Sequence, residues 1–319
     1  MDLKKLVIFD ASIASDNLGD KIVMDSVLDQ LRGIFPFYFF KTVQTHDVIR
    51  GCSYYHINIS DLAFVGGTNL ISSCMNKTRQ WRIGLFDSLF IKGLILMGVG
   101  WHSYQREPNW YTKLLLKRIL SHKFFHSVRD NYTLNKLSSI GIQNVINTGC
   151  PTLWKLTPAH CSQIPEGKSE NVVFTFTDYC RNETSDKKIF KMLKQRYKNL
   201  FLWLQGTNDY EYLKGIIDNN VKIIPGFVED YDSLLSSNIS LDYVGTRLHA
   251  GIRALQHKRR SIILSVDNRA EEKGRDFNLP VVKRDDLDLL EDKVSSSFKT
   301  DIKIPTANIL QWIAQFVRA

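Results

Sequence analysis

The sequence predicts an α/β fold of two domains, each a parallel sheet covered by helices. Three observations carry the prediction. Apolar runs of strand length alternate with amphipathic stretches along the chain. The alternation pauses at one polar segment, 157–170, which holds Pro158, Pro165 and Gly167. The length, 319 residues, suits about two domains. The expected organisation is an N-terminal α/β domain over 1–156, a linker over 157–170 and a C-terminal α/β domain over 171–319, the two facing one another across a cleft. The last helix, 309–317, is placed to pack back on the first domain.

In order, the first domain offers strands at 5–9, 62–65, 94–99, 124–128 and 145–147. The second offers strands at 172–175, 200–204, 221–224, 243–244 and 262–265. Each is an apolar run, as parallel strands buried on both faces require. Between them, 21–31 sets Ile22, Val27, Leu28 and Leu31 near helical spacing. Further helices are expected at 111–121, 132–139, 187–194, 210–218, 230–236, 248–257 and 309–317.

Composition narrows the function classes. Hydrophobic residues make up 44% and charged residues 24%, which excludes a disordered chain. The longest apolar stretch, 93–100, is far short of the roughly 20 residues a bilayer span needs. The N-terminus has too short an apolar core for a signal peptide and reads as a first strand. Five cysteines without C-x-x-C spacing read as reduced thiols of a cytoplasmic protein. No histidine pair has metal-ligand spacing, so neither a metal nor a cofactor is expected. Lys and Arg number 42 against 33 Asp and Glu, a net charge of +9 that favours an anionic partner. The charges are dispersed, as in Lys187, Lys188, Lys191, Lys194, Arg196 and Lys198, and read as a solvated helix face. No arginine stripe with interleaved aromatics points to nucleic acid.

Five short motifs stand at strand ends. Asn17-Leu18-Gly19-Asp20 opens a helix after the first strand; Asp20 either caps the helix or serves a ligand at its amino end. Gly66-Gly67-Thr68-Asn69 reads as a glycine turn after the second strand, open to a ligand or simply a turn. Ser127-Val128-Arg129-Asp130 ends another strand, with Arg129 either paired to Asp130 or free to grip an anion. Thr148-Gly149-Cys150-Pro151 closes the first domain; no base near Cys150 suggests a nucleophile. Gly245-Thr246-Arg247-Leu248-His249-Ala250 precedes an apolar helix, with Thr246 the expected cap. Two residues apart lie about 200° around a helix, yet at its amino end Arg247 and His249 can both reach one ligand. A capping turn with a partly buried histidine is the alternative. Asp267 and Arg269 end a later strand near the same edge.

In their order and placement these motifs resemble the polysaccharide pyruvyl transferase family, over about residues 9–267. The resemblance implies a fold similar to GT-B glycosyltransferases and ketal transfer of pyruvate from phosphoenolpyruvate to a sugar of a surface polysaccharide or its precursor. It carries donor contacts to Arg247, Leu248 and His249, a second anion clamp to Arg129, and a carboxylate to Asp20. Asn17, Gly19, Gly67 and Asn69 complete the implied substrate-binding set. Thr68 and Cys150 depart from the family pattern, which often has glycine and aspartate there. The chemistry assigns Arg247 and Arg129 as clamps, His249 as general acid and Asp20 as base, the last two exchangeable. The acceptor is expected on a nucleotide or lipid diphosphate, and the positive charge suits peripheral contact with the inner membrane face. A nucleotide-sugar glycosyltransferase of similar architecture is the rival reading.

Overall fold

The computed structural model describes residues 3–78 and 80–317. The chain forms two six-stranded sheets, each entirely parallel. The first holds β1 (Lys5–Asp10), β2 (Phe39–Gln44), β3 (Leu62–Ile71), β4 (Ile95–Trp101), β5 (His126–Val128) and β6 (Val145–Asn147), in the order β2-β1-β3-β4-β5-β6. The second holds β7 (Asn171–Thr175), β8 (Asn199–Trp203), β9 (Lys222–Ile224), β10 (Leu241–Gly245), β11 (Ser261–Ser265) and β12 (Val281–Lys283). Its order is β12-β11-β10-β7-β8-β9, so strand order reverses between β7 and β10. That is the Rossmann-type order, and its reversal point is where such sheets bind ligands, beyond the strand carboxyl ends.

Two strands go beyond the expected ten. Both β2 and β12 lie at sheet edges, as do the expected β6 and β9, and their runs mix exposed polar positions with apolar ones. Helices Gly51–Asn58, Asn268–Phe277 and Leu287–Ser295 also escape the apolar-spacing test. The second of these, Asn-Arg-Ala-Glu-Glu-Lys-Gly-Arg-Asp-Phe, is mostly charged and gains its place from packing on β11 and β12. The helix expected over 210–218 is the shorter Asp209–Leu213. The polar segment after 157 contains a four-residue helix, Pro158–Cys161, capped by Thr157, whose side chain accepts from His160 N at 3.2 Å.

The chain divides into two compact units. One comprises the residues up to Ser15, Val23–Trp154 and those from Ile304; the other comprises Asp16–Ile22 and Lys155–Lys303. Each unit has its own core. In the first, Val7, Phe9, Val65, Leu96 and Val99 meet Leu115, Leu116 and Ile119 of helix Trp110–Ile119. In the second, Val172, Phe174, Val244 and Ile262 meet Ile189, Phe190 and Leu193 of helix Glu183–Arg196. Helix Thr306–Val317 is part of the first unit: buried Trp312 meets Phe64 and Trp154 edge-on at 6.0 Å, and its indole N–H donates to Phe125 O at 2.9 Å.

Candidate active site

The second unit assembles most of the predicted residues at one sheet edge. Beyond β7 the chain runs Phe176-Thr177-Asp178-Tyr179, and beyond β10 it runs Thr246-Arg247. These are the two strands flanking the reversal of order. They approach closely: Thr246 N donates to Thr175 O at 2.9 Å, and a Cβ on Gly245 would stand 2.5 Å from that same oxygen. The glycine of the Gly-Thr-Arg-Leu-His run is thus set by sheet packing.

Helix Leu248–Gln256 begins where expected, but Arg247 and not Thr246 holds the cap position, with no side-chain cap bond. Thr246 instead keeps an extended link to β7, through the N–H just described. Arg247 is buried. Its Nη2 donates to Asp178 Oδ1 at 3.1 Å and to Asp209 Oδ1. The Tyr179 ring lies 5.2 Å from its guanidinium carbon, and its Nε makes no hydrogen bond. The expected open fork is therefore half closed: the Nη2 side is tied to two carboxylates, and the Nε edge is left. Burial pushes the Asp209 carboxyl upward against the pull of Arg247. Leu248 and His249 occupy the first two helical positions, and both are buried.

The Asn17 motif joins this edge. Asn17 forms a bridge with Gly206, Leu18 N donates to Gln205 O at 3.0 Å, and Gln205 Nε2 donates to Asn17 Oδ1 at 2.7 Å. Asn17 Oδ1 also accepts from Gly19 N at 3.1 Å. It thereby tethers the start of helix Leu18–Ile34, a job sequence reasoning offered to Asp20. A Cβ on Gly19 would press within 2.8 Å of Gln205 Nε2, and one on Gly206 would lie 2.2 Å from Arg247 Nη2. Both glycines exist for closeness.

Arg269 completes the cluster. Its Nε donates to Asp267 Oδ2 at 2.8 Å, and its Nη2 donates to the Tyr179 hydroxyl. Asp267 caps helix Asn268–Phe277 by accepting from Arg269 N at 2.9 Å. Burial alone would raise the Asp267 carboxyl, but the charge and hydrogen bonds of Arg269 hold it down at about 2. Burial works against the Arg269 charge, yet Tyr179, Asp267 and Asp20 together raise its pKa. Asp20 is thus close enough for its charge to act on Arg269. Three helix amino ends, at Leu18, Leu248 and Asn268, gather here with two guanidinium groups and the carboxylates of Asp20, Asp178, Asp209 and Asp267. Such an edge can hold an anion by N–H groups and guanidinium edges, and it has carboxylates to move protons.

The first unit holds the other motifs, and it uses them differently. The residues Gly66-Gly67-Thr68-Asn69 are not a turn: they continue β3, which runs to Ile71. A Cβ on Gly66 would strike Met24 Sδ at 2.5 Å, and one on Gly67 would strike Gly98 O at 2.6 Å. These glycines make room for a helix and a neighbouring strand. Arg129 is buried with Nε donating to Asp130 Oδ2 at 2.9 Å, Nη2 to Trp101 O at 2.9 Å and Nη1 to Asn69 Oδ1. A Cβ on Gly100 would sit 2.0 Å from Arg129 Nε. The expected second clamp is thus a strut between β3, β4 and the helix Asn131–Ser139, whose cap is Asp130. Cys150 is a buried free thiol.

Asp178, Tyr179, Gln205, Gly206 and Asp209 were not singled out by sequence. Their signal is topological: they follow β7 and β8, and only the strand order tells that β7 lies between β10 and β8.

The fold and site define a Rossmann-like α/β protein with an ion-paired edge where helix amino ends gather. A family model of polysaccharide pyruvyl transferases matches residues 17–268, and the chain belongs to that family of transferases. Among curated proteins none matches it. Solved structures similar to it include Staphylococcus aureus MnaA with UDP, at 14% identity and a TM-score of 0.49, covering 99% of this chain and 97% of that one. Another is UDP-GlcNAc 2-epimerase from Neisseria meningitidis bound to UDP-GlcNAc, at 14% identity and a TM-score of 0.42, covering 99% and 100%. A third is Arabidopsis thaliana UGT89C1 complexed with UDP-L-rhamnose, at 10% identity and a TM-score of 0.47, covering 100% and 93%.

Proposed function

We propose that this protein transfers pyruvate from phosphoenolpyruvate to two hydroxyls of one sugar in a surface-polysaccharide precursor, forming a ketal. The observation that carries the reading is the gathering of Asn17, Gly19, Asp20, Arg247 and Arg269 at the reversal point of the second sheet, in a chain of this family.

The donor is a small polyanion with a carboxylate and a phosphate. Arg247 contributes its Nε, a buried donor without a protein partner, while Asp178 and Asp209 fix the guanidinium plane. Arg129 has Nε, Nη1 and Nη2 all engaged, whereas Arg269 is tied through Nε and Nη2 and offers Nη1 for the second clamp. Helix N–H groups near Leu248 add contacts to phosphate oxygens.

In the reaction the donor methylene carbon gains a proton and becomes a methyl group. The neighbouring carbon, now electron-poor, is attacked by a sugar hydroxyl, which loses its proton. The C–O bond to phosphate breaks, and a second hydroxyl, losing its proton, closes the ring. The two hydroxyl protons balance the one on the methyl group and the one leaving with phosphate. His249 delivers the proton to carbon and Asp20 receives one from the hydroxyl; the two roles are exchangeable in principle. The acceptor is carried on a nucleotide or a lipid diphosphate.

The test pairs binding with turnover. Phosphoenolpyruvate should raise the thermal transition of the protein in a dose-dependent way with no nucleotide sugar present. Stabilisation by nucleotide sugars with none by phosphoenolpyruvate would favour glycosyl transfer and defeat this reading. His249→Ala should abolish phosphate release in a donor-plus-acceptor assay while leaving the thermal transition in place.

A further inference from the structure

The first unit carries a surface that the transfer reaction leaves unexplained. Helix Trp110–Ile119 exposes Trp110, Lys113, Leu114, Lys117 and Arg118. Their spacing of three, four, seven and eight residues puts them on one face. That face is aromatic and aliphatic at its amino end and cationic at its carboxyl end. Beside it the segment 85–93 exposes Phe86, Leu89 and Phe90, then Lys92.

Two contacts show that the segments run side by side. The Tyr111 hydroxyl accepts from Leu85 N at 3.1 Å. At the other end Lys92 and Gly93 line a shallow groove of about 530 Å³ together with Lys117, Arg118, His122 and Lys123. The protruding rings belong to a packed cluster: Phe86 and Phe90 meet at 5.5 Å, and Phe90 meets Tyr54 at 5.7 Å. Phe86 is 68% exposed and Trp110 71%, an unusual cost in water for side chains of that size.

Charge decides what covers the face. Between Leu85 and Ser127 there are six Lys or Arg residues and two carboxylates: Asp87, which is half-buried and accepts from Gly84 N and the Tyr54 hydroxyl, and Glu107, which is held by Lys136 at 2.8 Å. Apolar rings bordered by cations, with a cationic groove for phosphate alongside, match the boundary between headgroups and acyl chains of an anionic bilayer.

We infer that this face docks the protein on an anionic lipid bilayer, with Phe86, Leu89, Phe90 and Trp110 entering the headgroup layer and Lys92, Lys113, Lys117, Arg118 and Lys123 meeting lipid phosphates. The inference stands on this surface alone and does not need the proposed reaction.

The experiment is co-sedimentation of the full chain with vesicles of phosphatidylcholine, with and without phosphatidylglycerol. The protein should sediment with the anionic vesicles, weakly with the neutral ones, and less as salt rises. Lys117→Glu with Arg118→Glu should lower partitioning by roughly thirtyfold or more, since each cation near such a surface contributes about a factor of five. Phe86→Ser with Leu89→Ser, both more exposed than Phe90, should also abolish sedimentation, with thermal transition and soluble-substrate turnover unchanged. Equal binding to both vesicle types, binding insensitive to both variants, or no binding would each overturn the inference. So would inorganic pyrophosphate binding at the groove without vesicle binding, or a dimer in solution that the Phe86 variant dissociates. None of these outcomes bears on pyruvyl transfer, and failure of that reaction would leave vesicle binding standing.

Discussion

Arg129 and Arg247 are both buried, but their neighbours give them different work. Arg129 has donors on Asp130, Asn69 and the Trp101 carbonyl, so removing it strands a buried carboxylate and a backbone oxygen. Arg129→Ala should destabilise the protein by about 3–5 kcal/mol in urea unfolding, because the partner charge loses its compensation. Arg247→Lys replaces a planar group held between two aspartates by a point charge. It should weaken phosphoenolpyruvate binding at least tenfold, measured by calorimetry; unchanged affinity would remove Arg247 from the donor site. His126 offers a prediction from acid–base chemistry. Its Nδ1 accepts from Leu96 N at 3.3 Å and its Nε2 donates to Ser121 O at 3.0 Å, so the neutral ring serves two backbone groups. Burial lowers its pKa to about 4, with the Ser121 carbonyl opposing in part. The unfolded chain takes that proton near pH 6.5 and the folded chain resists it. Stability is therefore full above about 6.5 and falls as pH drops toward 4, by about 3 kcal/mol from this residue. His126→Gln should flatten the pH profile of urea unfolding between those values.

At the scale of elements, glycines record which strands and helices crowd one another. Gly98 has φ +68°, and a Cβ there would lie 2.2 Å from the Pro151 ring. Gly98→Ala combines left-handed strain with overpacking, and should cost about 2–4 kcal/mol. Gly33, near the end of helix Leu18–Ile34, has open space around a would-be Cβ. Gly33→Ala should stabilise by about 0.5–1 kcal/mol, because the helix loses less backbone entropy on folding. Thermal unfolding of the two variants should move in opposite directions. Sequence reading found ten of the twelve strands because central parallel strands are apolar throughout: β7, β10 and β11 are buried at every position. It passed over β2 and β12, whose runs mix exposed polar positions with apolar ones. It ended β3 too early because Gly66 and Gly67, read as a turn, are strand residues chosen for close approach to Met24 and Gly98.

For the whole molecule, the path of the chain matters more than any one contact. The segment Asp16–Ile22 is counted with the second unit, although the strand before it is in the first, and the residues from Ile304 return to the first. The closing helix fixes itself through Trp312, fully buried among Phe64, Trp154 and Phe316. Trp312→Ala should cost about 3–5 kcal/mol in the unfolding of the first unit, from lost burial and the cavity left behind. Fluorescence-monitored unfolding would check it.

Local chemistry in the sequence was enough to determine the α/β class, the strand-end motifs and the family they spell, since apolar periodicity, turn residues and motif order are properties of neighbouring residues. Partnership at a distance was settled by tertiary structure: that Arg247 is held by Asp178 and Asp209, that Asn17 sits on Gln205 and Gly206, and that Arg129 is a strut. The Arg247 and Arg129 pairings follow from the order β12-β11-β10-β7-β8-β9 and its counterpart in the first sheet, and the Asn17 pairing from an isolated bridge to Gly206. Strand order brings together ends far apart along the chain, and a charged side chain does not announce its partner until those ends meet.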